Sequence, residues 1–289
     1  MEPPMMWSDN DLLLATGLLS SETDMPASVP ESEITRQIVY EQPLNERIRT
    51  LLRLEHLFQT ARQGIAGDSE LHSRIGIEAL VDVLGVLSRS DVRSDMIKEL
   101  ERLAGAMQAL RDRPGVDEAQ LQRYTDDCQA IIDRLRGDRT PLGQPMRDDE
   151  LIASISQRCG LGAATCGFDV PAYQMWLEQP AAKRRETLER WFNAFRDVGT
   201  ATTLILQLLR ASASPRRRQA EGGATQIKLP RNNNFQLIRV GLDPELAVFP
   251  EISGSRYFVT IRFMAQPDTR ERPEQTRAAI PFSLYTCAI

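Results

Sequence analysis

Histidine is nearly absent from this chain: His56 and His72 are the only two, and the four cysteines, Cys128, Cys159, Cys166 and Cys287, include no CxxC pair. Zinc sites draw on closely spaced Cys and His, so no metal centre is expected and the thiols read as reduced and mostly packed. Also missing are the GxxxxGK[ST] loop and the GxGxxG turn that cradle phosphates, and any turn that would expose an activated nucleophile. The acids of "GVDE", "RDDE" and "TDD" sit at helix starts, where they stabilise the positive end of the helix dipole. His56 stands beside Leu57 and Phe58 in a helical pattern, a packing position rather than that of a general base. The chain therefore reads as non-enzymatic and without cofactor. No apolar run approaches the roughly 20 residues of a membrane helix. The longest near the start, "LLLATGLL", follows acids where a signal peptide carries Lys or Arg, which predicts a cytoplasmic protein with no membrane insertion.

Charge is unevenly spread. Residues 1–36 carry Glu2, Asp9, Asp11, Glu22, Asp24, Glu31 and Glu33 against Arg36 alone, so this segment holds −6 of a total of −5 and the remainder sums to about +1. Rich in Pro, Ser and acids and poor in periodicity, residues 1–36 are predicted to be a disordered acidic extension, with "NDLLLATGLL" as the one stretch that could form a short amphipathic helix.

From residue 44 the apolar spacing turns helical. Leu44, Ile48, Leu51, Leu54, Phe58, Ala61 and Ile65 recur at three and four, and a second helix is expected from about 69 to 87. Met96, Leu100, Leu103, Met107 and Leu110, then Leu121, Tyr124, Cys128, Ile131 and Leu135, form two seams across a Pro-Gly turn, which predicts an antiparallel helical hairpin capped by Asp117, with Gln120 at the capping-box position. Further helices are expected at about 148–158, 171–178, 181–198 and 200–211. After Ser214, strand-like stretches at about 224–229, 235–242, 256–264 and 280–287 alternate with Gly, Pro and Asn clusters. "IVYE" at 38–41 and "CGFD" at 166–169 are candidate extra strands. The expected fold is α+β: a mainly helical domain over 37–213 and an antiparallel β-sheet domain over 214–289.

Positive charge is the unusual feature of the strands. In "SRYFVTIRFM", Tyr257, Val259, Ile261 and Phe263 share one face, expected in the core, while Arg256, Phe258, Thr260, Arg262 and Met264 share the other. Arg216 and Arg217 of "SPRRRQ" stand at the junction between the helical and strand-like regions, and Arg239 joins this surface if its strand lies alongside. A solvated face with edge charges is one reading. The bias to arginine over lysine favours a site for an acidic, apolar peptide, because guanidinium binds carboxylates bidentately and tolerates apolar neighbours. A basic groove for nucleic acid, or another peptide-binding adaptor, is the alternative; the near-neutral body of the chain and its net −5 disfavour phosphate binding.

"IVYEQPLNERIRTLLRLEHLF", "DVRSDMIKELERL", "PGVD", "CGFDVPAYQMWLEQP" and "PEISGSRYFVTIRFM" resemble, in order, successive blocks of the ZapD family of Z-ring-associated cell division proteins. The resemblance implies a non-enzymatic homodimer at the mid-cell division site. It would bind the C-terminal peptide of FtsZ and cross-link FtsZ filaments into bundles. Carried onto this sequence, the family's basic positions match Arg262 in "IRFM" and Arg89 in "LSRSDVR". Position 258 is Phe where some relatives are basic, so Arg256 would supply that charge, and the 36-residue extension is foreign to the family pattern.

Overall fold

The structure, a computed structural model, describes residues 37–88, 91–109, 111, 117–158, 166–230, 234–255 and 257–289. The acidic extension, Cys159, and the candidate site residues Arg89 and Arg256 lie outside this set. In chain order the described elements are β1 (Ile38–Pro43), α1 (Glu46–Ala66), α2 (Glu70–Leu87), α3 (Val92–Gln108), α4 (Glu118–Gly137), α5 (Gln144–Arg147), α6 (Glu150–Ser156), α7 (Pro171–Leu177), α8 (Ala181–Asn193) and α9 (Arg196–Ala211). Then come β2 (Arg216–Ala220), β3 (Ala224–Lys228), β4 (Phe235–Leu242), β5 (Val248–Gly254), β6 (Phe258–Ala265), β7 (Glu274–Gln275) and β8 (Ile280–Ala288). The fold is α+β. No helix among the described residues is long and apolar enough to cross a membrane.

The chain divides into two compact units, one of Thr50–Glu101 with Asp126–Ile205, the other of the residues up to Arg49 with Arg102–Thr125 and Leu206–Ile289. The division cuts through α1, α3, α4 and α9. In the helical unit, the three- and four-residue spacing places Leu54, Phe58, Ile77, Leu80 and Val83 in the core. Phe58 meets the edge of Phe192 at 5.9 Å, and Trp176 packs on Trp191 at 5.8 Å. Gly64 permits a close crossing of α1 and α2, since a Cβ there would stand 2.5 Å from the main chain of Gly76. The acids at helix starts cap as expected: Asp149 accepts from the amides of Leu151 and Ile152, and also from Trp191 Nε1 at 2.9 Å. A buried Arg184 ties the unit together, donating to Ser73 Oγ and to the carbonyls of Leu177 and Asp68.

Residues 166–169 do not form a strand. They make a turn in which Asp169 and Val170 both donate to the carbonyl of Cys166, and Phe168 stands 84% exposed. The turn leads directly to Pro171 at the first position of α7, where a fixed φ favours helix over strand.

The second unit is a sandwich of two antiparallel sheets, ordered β1-β4-β8-β2 and β3-β6-β5, with β7 pairing to β6. "IVYE" begins β1, which pairs with β4 from Ile38 opposite Leu242 to Pro43 opposite Leu237. Ile238, Val240, Leu242, Phe282 and Leu284 of the first sheet face Val259, Ile261 and Phe263 of the second, and Phe263 meets Phe282 at 5.2 Å. Tyr257, expected in that core, precedes β6 in a bend and is exposed. Besides the two-residue β7, two strands escaped the alternation rule, β2 because three successive arginines have no period of two, and β5 because Pro250 looks like a breaker. Both are edge strands, where charge and proline are tolerated. The Asp117 carboxylate accepts from the Gln120 amide at 3.0 Å, as the capping pattern requires.

Burial raises the thiol pKa of Cys128 and of Cys287 to about 12, while Cys166 is exposed. At pH 8 a maleimide should therefore label Cys166 rapidly in the native protein and reach Cys128 and Cys287 only after denaturant is added; mass spectrometry of quenched samples reads the order.

Candidate functional site

The outer face of the β3-β6-β5 sheet is built by register. Side chains directly opposed across antiparallel strands share a face, so Phe258 stands beside Lys228, Thr260 between Gln226 and Ser253, Arg262 between Ala224 and Glu251, and Met264 beside Phe249 and Gln275. With Val259, Ile261 and Phe263 locked into the sandwich, Phe258 and Arg262 must point outward, and they do, Phe258 being 44% exposed and the Arg262 side chain 57%. The result is an open strip with an aromatic ring and a lysine at one end, a guanidinium in the middle, and half-buried Phe249 and Met264 at the other end. Arg262 Nη2 donates to Glu251 Oε2 at 2.9 Å, and the carboxylate is itself 46% exposed. Such exposed pairs contribute about 0–1 kcal/mol. An incoming carboxylate can therefore replace Glu251 at little cost.

Arg239 does not join this strip. Its strand, β4, lies in the other sheet between β1 and β8, because β8 and not β6 is its neighbour. Its side chain turns away from the sandwich interior, into a half-buried cluster with Glu41 directly opposite on β1 and Tyr285 opposite on β8. The guanidinium stands 5.0 Å from the Tyr285 ring centroid, and Nε lies 2.9 Å from Glu41 Oε1 as an ion pair without hydrogen-bond geometry. Arg210 of α9 completes the cluster with a fork, Nε to Glu41 Oε1 at 2.9 Å and Nη2 to Oε2 at 2.8 Å. Burial alone would raise the Glu41 pKa, but the hydrogen bonds and charge of Arg210, joined by the charge of Arg239, overrule it and hold the carboxyl below its usual range.

Arg216 and Arg217 lie on β2, the edge of the four-stranded sheet. Both are exposed and point to opposite faces, since Arg216 opposes core-facing Leu284 and Arg217 opposes Ser283. The structure thus brings Phe258 and Arg262 together and separates Arg239 and β2 from them. Lys228, Phe249 and Glu251 were missed. Lys228 ends an alternating "TQIK" and was detectable; the other two sit on the strand that proline disguised. In the helical unit a cavity of about 510 Å³ is lined by Arg93, Arg139, Arg147, Ser88 and Asp91, next in sequence to Arg89. Among the described residues no group of three His, Cys, Asp or Glu side chains could hold a metal ion.

Residues 52–262 match the ZapD family, described as cell division protein. The cell division protein ZapD of Methylococcus capsulatus (strain Bath) is 37% identical over 253 residues, covering 88% of this chain and 99% of that protein, so about 36 residues here have no counterpart in it. The namesake of Aromatoleum aromaticum is 35% identical over 87% of this chain and 98% of its own. That of Cupriavidus pinatubonensis is 37% identical over 86% and 99%. The matched stretch contains α1 to α9 almost entire and runs through both sheets to Arg262 itself. By this match the chain belongs to the ZapD family of cell division proteins.

Proposed function

We propose that this chain binds the acidic, apolar C-terminal peptide of FtsZ on the outer face of β3, β6 and β5, and that as a homodimer it cross-links FtsZ filaments at the division site. The supporting observation is the juxtaposition of exposed Phe258 and Arg262 on one open face. The peptide's carboxylates take the Arg262 guanidinium, with Lys228 as a second cation, and its apolar anchors lie on Phe258 at one end or on Met264 and Phe249 at the other. Arg89 and Arg256 belong to the same proposed set. Each contact is weak, of roughly micromolar class. A dimer offering two such faces to a polymer that displays many tails gains effective concentration, so bundling is strong while each contact exchanges.

The test is a calorimetric titration of the purified protein with the FtsZ C-terminal peptide at several salt concentrations. Binding should weaken as ionic strength rises, because the charges are exposed and screened. Co-sedimentation with FtsZ polymers should vanish when the tail is deleted, and unchanged co-sedimentation would refute the reading. Glu251→Gln gives a sharper check. Arg262 then loses its resident carboxylate, and peptide affinity should rise severalfold; an affinity that stayed the same or fell would show that the Arg262–Glu251 pair is not the docking point.

A further inference from the structure

The cavity of about 510 Å³ in the helical unit is lined by Arg93, Arg139 and Arg147 and by a single carboxylate, that of Asp91. Arg93 and Arg147 are half-buried, and a charge withdrawn from water is ordinarily paired. Neither forms an ion pair among the described residues. Arg93 donates through Nη1 to the Asp138 carbonyl and through Nη2 to the Thr140 carbonyl. Arg147 donates through Nη2 to the Leu84 carbonyl at 3.2 Å and to Ser88 Oγ at 2.9 Å. All four acceptors are neutral, so they fix the direction of both guanidiniums without cancelling their charge. Each guanidinium also keeps donors in hand, because Nε of Arg93 and both Nε and Nη1 of Arg147 make no bond among the described residues. Arg139 is exposed and has no partner among them. The nearby acids are turned to the main chain: Asp91 Oδ1 accepts from the Ser94 amide at 3.2 Å, and Asp138 Oδ1 from the Thr140 amide at 2.9 Å.

We propose that this cavity binds a small phosphomonoester, with its phosphate on the three arginines and its organic body on the apolar lining of Leu87, Val92, Pro141 and Leu142. Charge selects the head group. A phosphomonoester brings nearly two negative charges and three acceptor oxygens, which suits several guanidiniums at one cavity, whereas a carboxylate offers one charge and two oxygens. Size selects the body. Small-molecule sites span roughly 300–1,000 Å³, and a bare phosphate would leave most of this one unfilled. The arginines are held in place before any ligand arrives, so little ordering is lost on binding. This inference does not rest on the FtsZ reading.

Calorimetric titration of the full chain in phosphate-free buffer at low salt tests it, with phenyl phosphate and inorganic phosphate as separate probes. Phenyl phosphate should bind severalfold more tightly than inorganic phosphate. Arg139→Gln should weaken phenyl phosphate about tenfold and leave the melting temperature unchanged, because Arg139 makes no bond that the fold needs. Failure of phenyl phosphate to bind, equal affinities for the two probes, or binding untouched by Arg139→Gln would overturn the proposal. So would displacement of phenyl phosphate by the FtsZ C-terminal peptide, which would assign these arginines to the tail.

Discussion

Glu41→Gln lowers the unfolding free energy at pH 7 by about 3 kcal/mol, the low end of what is lost when one partner of a buried ion pair is removed. The side chains of Glu41, Arg210 and Arg239 are each only about a fifth exposed. Glutamine keeps the shape but leaves two guanidiniums facing each other across a site that lost its counter-charge. Acid should expose the same dependence. Because the folded pKa of Glu41 is depressed below the ordinary 4.5, its contribution is fully present above that value and is lost as pH falls through the lower folded value. Urea unfolding from pH 7 down to pH 3 should show wild type falling toward the Glu41→Gln variant, with the gap between them closing. Equal stabilities at pH 7 would mean that the cluster is neutral to the fold.

That cluster also shows where sequence reading stops. Glu41 lies in "IVYE", a stretch readable as a strand, yet nothing local says that Arg239, about 200 residues later, stands opposite it. Strand order is a long-range property. Pairing β8 between β4 and β2 is a choice made by the whole sandwich, and it carries Arg239 to a different sheet from Arg262. What was legible came from periodicity. The core face of β6 followed from alternation, because burying Val259, Ile261 and Phe263 leaves Arg262 only one direction to point. The helices of the first two-thirds followed from three- and four-residue spacing. Exceptions arose where chemistry suited to an edge hides the period, as with three arginines in β2 and Pro250 in β5. Missing β5 hid Glu251, and with it the fact that Arg262 has a resident partner. The family blocks were legible because they extend over both units.

Arg262→Glu should cost the FtsZ peptide at least about tenfold in affinity, since losing a charge-assisted hydrogen bond removes about 1.5–3 kcal/mol and tenfold corresponds to 1.4 kcal/mol. Repulsion adds to this, because the substitution sets two carboxylates opposite each other on β5 and β6, facing an acidic ligand. The fold should hardly notice. An ion pair with both partners about half exposed contributes at most about 1 kcal/mol, so the melting temperature should shift by only a few degrees. Together with Glu251→Gln the experiment is signed: removing the negative partner strengthens binding, and reversing the positive one abolishes it, on a scaffold whose stability changes little in either case. Two variants that weakened binding equally would indicate a face sensitive to any disturbance. Retained bundling by Arg262→Glu at low salt would move the contact away from β6, to the other exposed arginines of the chain.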